Sequence, residues 1–395
     1  VSEVAAGVTP ERLPQVDVIR LLPMLGVVAV HTLIFTQPAD SVGANAALML
    51  LHANREVFFF VTAFLLARST RGVVQQWRRR YPVVVLPYLA WTVIYWFQTE
   101  NGMPWPPEPA LRLLGVDLGL GWFHLYYLLV TMQLYALFPL LAWLVRRTRG
   151  HHLQLLGASV ALQVAFTAAY AYGGSLVPGP LQAWFAQAQV EATSYQLAFV
   201  AGALAADHLP ECLAWLRRHA RAALAAAAAA ALAAEGWYAA NLAIGESAGQ
   251  AADVFQPAEL LVTGAAVVGL VLLADRALKA AAPGGRLRHG LGAASRASFG
   301  VYLAHMLPMQ LFLLTPLATL TGLSTMPRPL AAVAVFALVL TATFALVLAL
   351  QRSPLSLVLT GRPAVQRRQV IRIELPEAQS PGAPAMQRPK LPRNV

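Results

Sequence analysis

The sequence predicts an all-α integral membrane protein with about ten transmembrane helices and both termini in the cytoplasm. Three observations carry that prediction. The 395 residues are 58% hydrophobic and only 12% charged, against about 25% charged in soluble domains. Apolar runs long enough to cross a hydrocarbon core, about 20 residues each, recur along most of the chain. Arginine is concentrated in alternate loops, which the positive-inside rule assigns to the cytoplasm.

The net charge of +11 comes almost wholly from arginine, since Lys279 and Lys390 are the only lysines. In a membrane protein that excess marks cytoplasmic loops and does not imply nucleic acid as a partner. The lone Cys212 excludes an intrachain disulfide and a cysteine metal cluster. The first apolar run is longer than a signal-peptide core and many runs follow it, so it is expected to remain as a span.

Residues 1–15, with Pro10 and Pro14, read as a short cytoplasmic tail, and 16–352 as the membrane domain. The first span, 16–36, contains Pro23, which can kink it one turn after Arg20. The second, 47–67, carries Arg55 and Glu56 and then Phe58-Phe59-Phe60. The third, 81–98, holds Pro87-Tyr88, and the fourth, 122–145, opens with Trp122-Phe123-His124-Leu125-Tyr126-Tyr127. The fifth is 153–172, and the sixth, 190–206, is the weakest because Glu191, Ser194 and Gln196 dilute it. The seventh, 220–243, includes an alanine tract suited to smooth packing, and the eighth is 257–275. The ninth, 298–320, starts Ser298-Phe299-Gly300-Val301-Tyr302-Leu303-Ala304-His305, and the tenth is 330–351. Residues 353–395 are rich in proline and basic residues and are expected to form a disordered cytoplasmic tail able to touch anionic lipid.

The loops fix the expected orientation. Arg68, Arg71, Arg78, Arg79 and Arg80 lie between spans two and three, and Arg146, Arg147 and Arg149 between four and five. Arg217 and Arg218, then Arg276, Lys279, Arg286, Arg288 and Arg296, continue the alternation.

Ten residues separate Arg20 from His31. On a helix eleven steps of about 100° put both on one face, about 16 Å apart along the axis. Ionisable groups at membrane depth are costly and usually functional. A guanidinium grips phosphate by a two-pronged fork, and a histidine acts as general base near neutral pH. Asp17, one turn from Arg20, can orient it. The plainer alternative is a snorkelling arginine and a packing histidine. Arg55 and Glu56 lie near mid-depth and diverge by about 100°, so Glu56 is expected to seek His31, or else to fix helix register in a buried ion pair. Ser298, Tyr302 and His305 share one face by their spacings of four and three. His124, Tyr126 and Tyr127 stand at the outer mouth of the fourth span, as an aromatic belt or an acceptor contact. No Walker-type glycine loop, HExxH or Gly-x-Ser-x-Gly elbow occurs, which disfavours ATP-driven transport and serine hydrolysis.

In these motifs the chain resembles the acyltransferase 3 family of membrane-bound O-acyltransferases, which modify bacterial cell-surface glycans and related acceptors. The resemblance rests on Asp17-x-x-Arg20 with His31, Phe58-Phe59-Phe60, the arginines before Pro87-Tyr88, and Ser298-x-x-x-Tyr302-Leu303-x-His305, over about residues 13–350. Thr62-Ala63 stands where the family often has Ser-Gly, and Val83 where it often has a second arginine.

The resemblance implies transfer of an acyl group, usually acetyl, from cytoplasmic acyl-CoA to a hydroxyl of a polysaccharide, glycolipid or related acceptor outside the inner membrane. Arg20 and His31 match the family's essential pair. On this reading His31 is the base or a transient acyl carrier, with Glu56 orienting it. Arg20, Arg79, Arg80, Ser298, Tyr302 and His305 face the donor, and His124, Tyr126 and Tyr127 the acceptor. No metal is expected. The expected partners are membrane lipid, acyl-CoA, the glycan or glycolipid acceptor and a separate envelope-biosynthesis protein. A non-enzymatic glycan exporter or flippase is the alternative class, its buried charges lining a substrate path.

Overall fold

The computed structural model describes residues 13–99, 108–282, 284–314 and 325–364. The described residues are helical, with no β-strand among them. The N-terminal tail up to residue 12, the end of the ninth expected span from 315 with the residues after it to 324, and the C-terminal stretch from 365 lie outside them.

The chain forms α1 (Pro14–Thr36), α2 (Val42–Leu51), α3 (Ala53–Ala67), α4 (Val73–Thr99), α5 (Glu108–Leu120), α6 (Tyr126–Arg147) and α7 (His152–Tyr172). There follow α8 (Gly179–Phe185), α9 (Gln196–Asp207), α10 (Leu209–Arg218), α11 (Ala220–Ala243), α12 (Ala248–Ala251) and α13 (Glu259–Ala280). The last are α14 (Arg286–Ala304), α15 (Met306–Leu314), α16 (Arg328–Leu350) and α17 (Ser356–Thr360). Among the described residues seven helical stretches are long and apolar enough to cross a membrane, and eight if the bent pair α9–α10 is one span. The other two expected spans coincide with α4, whose apolar half is diluted by Tyr, Trp and Pro, and with the broken pair α14–α15.

Helix α1 is central. It starts with Pro14 in its first turn, where a missing N–H costs nothing, and packs against α3, α13, α14 and α16. Its buried stripe runs Met24, Val28, His31 and Thr32, the three- and four-residue spacing of one helix face. Pro23 is buried inside the helix.

The second span is two helices joined at His52, and α3 lies along α9. That close approach depends on Gly202. A Cβ there would stand 2.2 Å from the Phe60 carbonyl oxygen and 3.1 Å from the Ala63 Cβ. Small residues let helix backbones meet in membranes, and forced overpacking costs about 1–3 kcal/mol. Gly202→Val is therefore expected to lower the melting temperature of the purified protein, whereas Gly236→Ala, whose Cβ would meet nothing within 4 Å, should not. Equal melting of the two variants would refute this packing.

The ninth span is broken rather than continuous. His305 separates α14 from α15, and Pro308 accounts for it. Proline has no N–H to give the carbonyl four residues back, so the ladder fails at Ala304. Two neighbouring carbonyls at the end of α14 accept from side chains: Tyr95 Oη donates to Leu303 O at 2.7 Å, and His305 Nδ1 donates to Tyr302 O at 2.7 Å.

The expected disordered tail begins too early. Residues 356–360 form α17, which packs on α4 and α14 with Ser356 and Thr360 fully buried. Trp91 Nε1 donates to Leu359 O at 2.9 Å. Gly361, with φ +64°, comes so close to Phe299 that a Cβ would lie 2.4 Å from its ring, so only glycine fits. Proline content concealed a short segment that the bundle itself orders.

Candidate active site

Two cavities meet inside the bundle. One, of about 500 Å³, is lined by His31, His124, Arg55 and Phe123 among others. The second, of about 380 Å³, is lined by Arg20, Arg80, Ser298, Thr62 and Arg362 among others. Phe58, Tyr127 and Tyr302 line both and so form the wall between them. Arg20 and His31, on one face of α1 as expected, open into different cavities.

At the histidine cavity, His31 and His305 are hydrogen-bonded, Nδ1 of the first to Nε2 of the second at 2.7 Å. Their planes differ by 9° with ring centres 4.9 Å apart. With nitrogens so close, that separation means rings lying edge to edge in one plane, the geometry of an N–H···N bond and not of a face-to-face stack.

The tautomers of the neutral pair follow from their partners. The Tyr302 carbonyl can only accept, so His305 Nδ1 carries the hydrogen. His305 Nε2 is then a lone pair, and His31 Nδ1 must donate to it. His31 Nε2 is left as the unprotonated nitrogen. A carbonyl–imidazole–imidazole relay thus presets His31 as a base, as an orienting group does for a catalytic histidine.

His124 packs against this pair, 4.8 Å from the His305 ring and 5.7 Å from the His31 ring. It is buried, yet neither ring nitrogen has a hydrogen-bond partner among the described residues. Such a group requires an explanation, and a ligand oxygen supplies one. Its backbone is fixed instead: Tyr302 Oη donates to the His124 carbonyl. The preceding Phe123 has φ +38°, outside the usual range for a residue with a Cβ. Its ring lies 4.9 Å from that of His31. Gly121, at φ +82°, makes the turn possible, since a Cβ would sit 2.4 Å from Tyr126 Cα.

The arginine cavity presents three guanidinium-bearing residues, Arg20, Arg80 and Arg362. Arg80 is positioned by Leu65 O, to which its Nη2 donates at 3.2 Å, and by the Tyr135 ring. Among the described residues none hydrogen-bonds or ion-pairs with Arg20, while Asp17 accepts from Ser295 Oγ at 3.1 Å.

Several expected placements change. Glu56 does not meet His31: its Oε1 takes Arg55 Nε at 2.9 Å and Nη2 at 2.5 Å. The long arginine side chain folds back across the helix face, held between the Tyr195 and Phe255 rings at 4.9 Å from each. Adjacent charges therefore do pair, despite diverging Cβ directions. His305 pairs with His31 and lines neither cavity. Arg79 is exposed and lines neither cavity. Ser298 does line the arginine cavity but spends its hydroxyl on Ser295 O at 2.9 Å. Tyr126 lines the histidine cavity, and Tyr127 is part of the shared wall.

Residue type and spacing give no site role to Arg55, Phe58, Phe123 or Arg362, yet all four line a cavity. Arg55 lines the histidine cavity with Nη1 buried and without a hydrogen-bond partner among the described residues. The signals that could have found these positions are Gly121, Pro308 and the turn-forming Gly361.

No curated protein and no solved structure matches the chain. A family model described as an acyltransferase domain matches residues 13–350. That span carries the paired histidines, the shared wall and both helices that hold Arg20 and Arg80, and over it the chain belongs to the acyltransferase 3 family.

Proposed function

We propose that the protein moves an acyl group, acetyl in the simplest case, from cytoplasmic acyl-CoA to a hydroxyl of a surface polysaccharide, glycolipid or related acceptor across the inner membrane. The observation that carries this reading is the pair of cavities joined at Phe58, Tyr127 and Tyr302, with arginines on one side and a preset histidine base on the other. The arginine cavity opens to the cytoplasm, in keeping with ten spans, internal termini and the basic loops. Both cavities fall in the usual size range of small-molecule sites, about 300–1,000 Å³.

In the proposed reaction Arg20 and Arg80 hold the phosphates of the donor, and its thioester passes between Tyr127 and Tyr302. His31 Nε2 takes the proton of the acceptor hydroxyl as the oxygen attacks the thioester carbonyl. The tetrahedral intermediate collapses, its carbon–sulfur bond breaks, and the leaving sulfur receives the proton from His31. His124 offers an N–H to the carbonyl oxygen as charge develops there. Arg55 and Tyr126 face the acceptor, and Glu56 acts on it only through Arg55. No feature of the described chain favours the exporter alternative.

Sidedness tests this reading. Inside-out vesicles supplied with acyl-labelled acyl-CoA should release free CoA thiol and label an acceptor, and sealed right-side-out vesicles should not. Thioester consumption that is equal in both orientations, or absent in both, would overturn it. On the donor side, Arg20→Lys keeps the charge but loses the fork. A charge-assisted hydrogen bond of about 1.5 kcal/mol or more corresponds to at least roughly tenfold in affinity. Calorimetry with a non-hydrolysable CoA thioether should show that loss, and unchanged affinity would remove Arg20 from the donor site.

A further inference from the structure

We infer that the corner where α7 begins and α9 turns into α10 is a divalent metal site of the zinc type, built by His152, Asp207 and His208. None of the three lines either cavity described above, and the inference stands apart from the acyl-transfer reading.

The elbow brings these groups together. Helices α9 and α10 meet at 91°, with Asp207 ending α9 and His208 at the bend. His152 opens α7 from the other side. His152 Nδ1 lies 2.7 Å from His208 Nε2 and 3.7 Å from Asp207 Oδ2. One donor atom from each residue falls within 4.8 Å of the others. The ring centres are 5.0 Å apart and the planes cross at 81°, so in the metal-free pair the two nitrogens face each other, and a shared cation requires both rings to tilt toward Asp207.

The second partner of His152 sets its proton. His152 Nε2 donates to Val145 O at 2.9 Å. That carbonyl cannot donate, so Nε2 holds the hydrogen and Nδ1 turns a lone pair into the cluster. A backbone carbonyl behind a histidine is the usual support of a metal-ligating imidazole. In the metal-free pair His208 Nε2–H donates to that lone pair. On binding, the cation takes both ring nitrogens, and the His208 proton moves to its Nδ1, so no proton is gained or lost by the rings.

Distance and chemistry agree with zinc. Ligand bonds of about 2.0–2.2 Å in tetrahedral geometry put neighbouring donor atoms about 3.3 Å apart. The histidine nitrogens must open from 2.7 Å with both rings tilting off their common axis, and the carboxylate must close from 3.7 Å, by χ rotation of side chains that are not locked in the core. Two imidazoles and one carboxylate suit zinc better than magnesium or calcium, which prefer all-oxygen shells. The Asp207 side chain is 45% exposed, so an ion can enter and water can complete the shell. Arg146 and Arg149 line an adjoining cleft of about 240 Å³ with Asp207, and their charge makes the site weaker than a buried structural zinc. Bound metal would tie the start of α7 to the elbow.

The test uses tag-free, full-length protein stripped with a chelator and titrated with Zn²⁺ against a chromophoric competitor. Wild type should bind about one equivalent, and Co²⁺ should give tetrahedral visible absorption there. His208→Ala and Asp207→Asn should each weaken binding at least about tenfold, with helical circular dichroism unchanged. His289→Ala, a surface histidine elsewhere, should bind as wild type does. If folded wild type takes up no stoichiometric Zn²⁺, or if His208→Ala binds equally well, His152 and His208 form a plain hydrogen-bonded pair and the site does not exist.

Discussion

His31→Ala is expected to abolish acyl transfer, by about 10²–10⁴-fold for loss of a general base, while leaving insertion in the membrane and CoA affinity intact. The two effects separate because His31 opens into one cavity and Arg20 and Arg80 into the other. His31→Gln should not restore activity, since an amide cannot accept and return a proton near neutral pH. The measurement is transfer per folded protein, with donor binding assayed in parallel. Retention of transfer by His31→Gln would move the base elsewhere. His124 would then be the next residue to test, because it is the other buried imidazole on the same cavity.

The second large effect is expected at His305, a positioning residue. Its lone pair accepts the His31 Nδ1 hydrogen at 2.7 Å. His305→Phe removes that acceptor, so the His31 hydrogen is free to shift to Nε2, the nitrogen that must be bare. Loss of an orienting partner costs roughly 10²-fold, between the effect on a metal-bound histidine and that on a catalytic triad. The loss should fall on kcat, with KM for the donor little changed. His305→Gln can place an amide oxygen near the same point and should recover part of the rate. If Phe and Gln variants are equally active, or if the defect lies only in KM, His305 does not act through His31.

Much of this arrangement was legible in the chain. The α1 face bearing Arg20 and His31 needed only helical periodicity, and the side-chain classes at Ser298, Tyr302 and His305 marked the ninth span as unusual. What periodicity could not convey was the break at His305. Pro308 was visible in the sequence, but where the helix end settles depends also on Tyr95, a distant residue whose hydroxyl donates to Leu303 O beside the break. The expected Glu56–His31 pair failed for a similar reason. Cβ directions on a helix were known, but the reach of an arginine clamped by Tyr195 and Phe255 is a tertiary property. His124 was placed near the acceptor by order in the chain, whereas its burial follows from a turn with two positive-φ residues, Gly121 and Phe123. Membrane helices make spans easy to read and make their interruptions, where chemistry gathers, hard to read.

The short helix α17 and the residues after it matter beyond their size. The family match ends at residue 350, yet Gly361, Arg362 and Pro363 form part of the arginine cavity. The pocket facing the proposed donor is thus walled partly by the matched domain and partly by an appended segment, whereas the histidine relay lies wholly within the match. The relay is therefore built from one stretch of chain, while the pocket proposed for the donor joins Arg20 and Arg80 of that stretch to Arg362 beyond it. The relay is locked into crossing helices, whereas residues 361–363 shape the wall of that pocket without contributing a hydrogen bond to the relay.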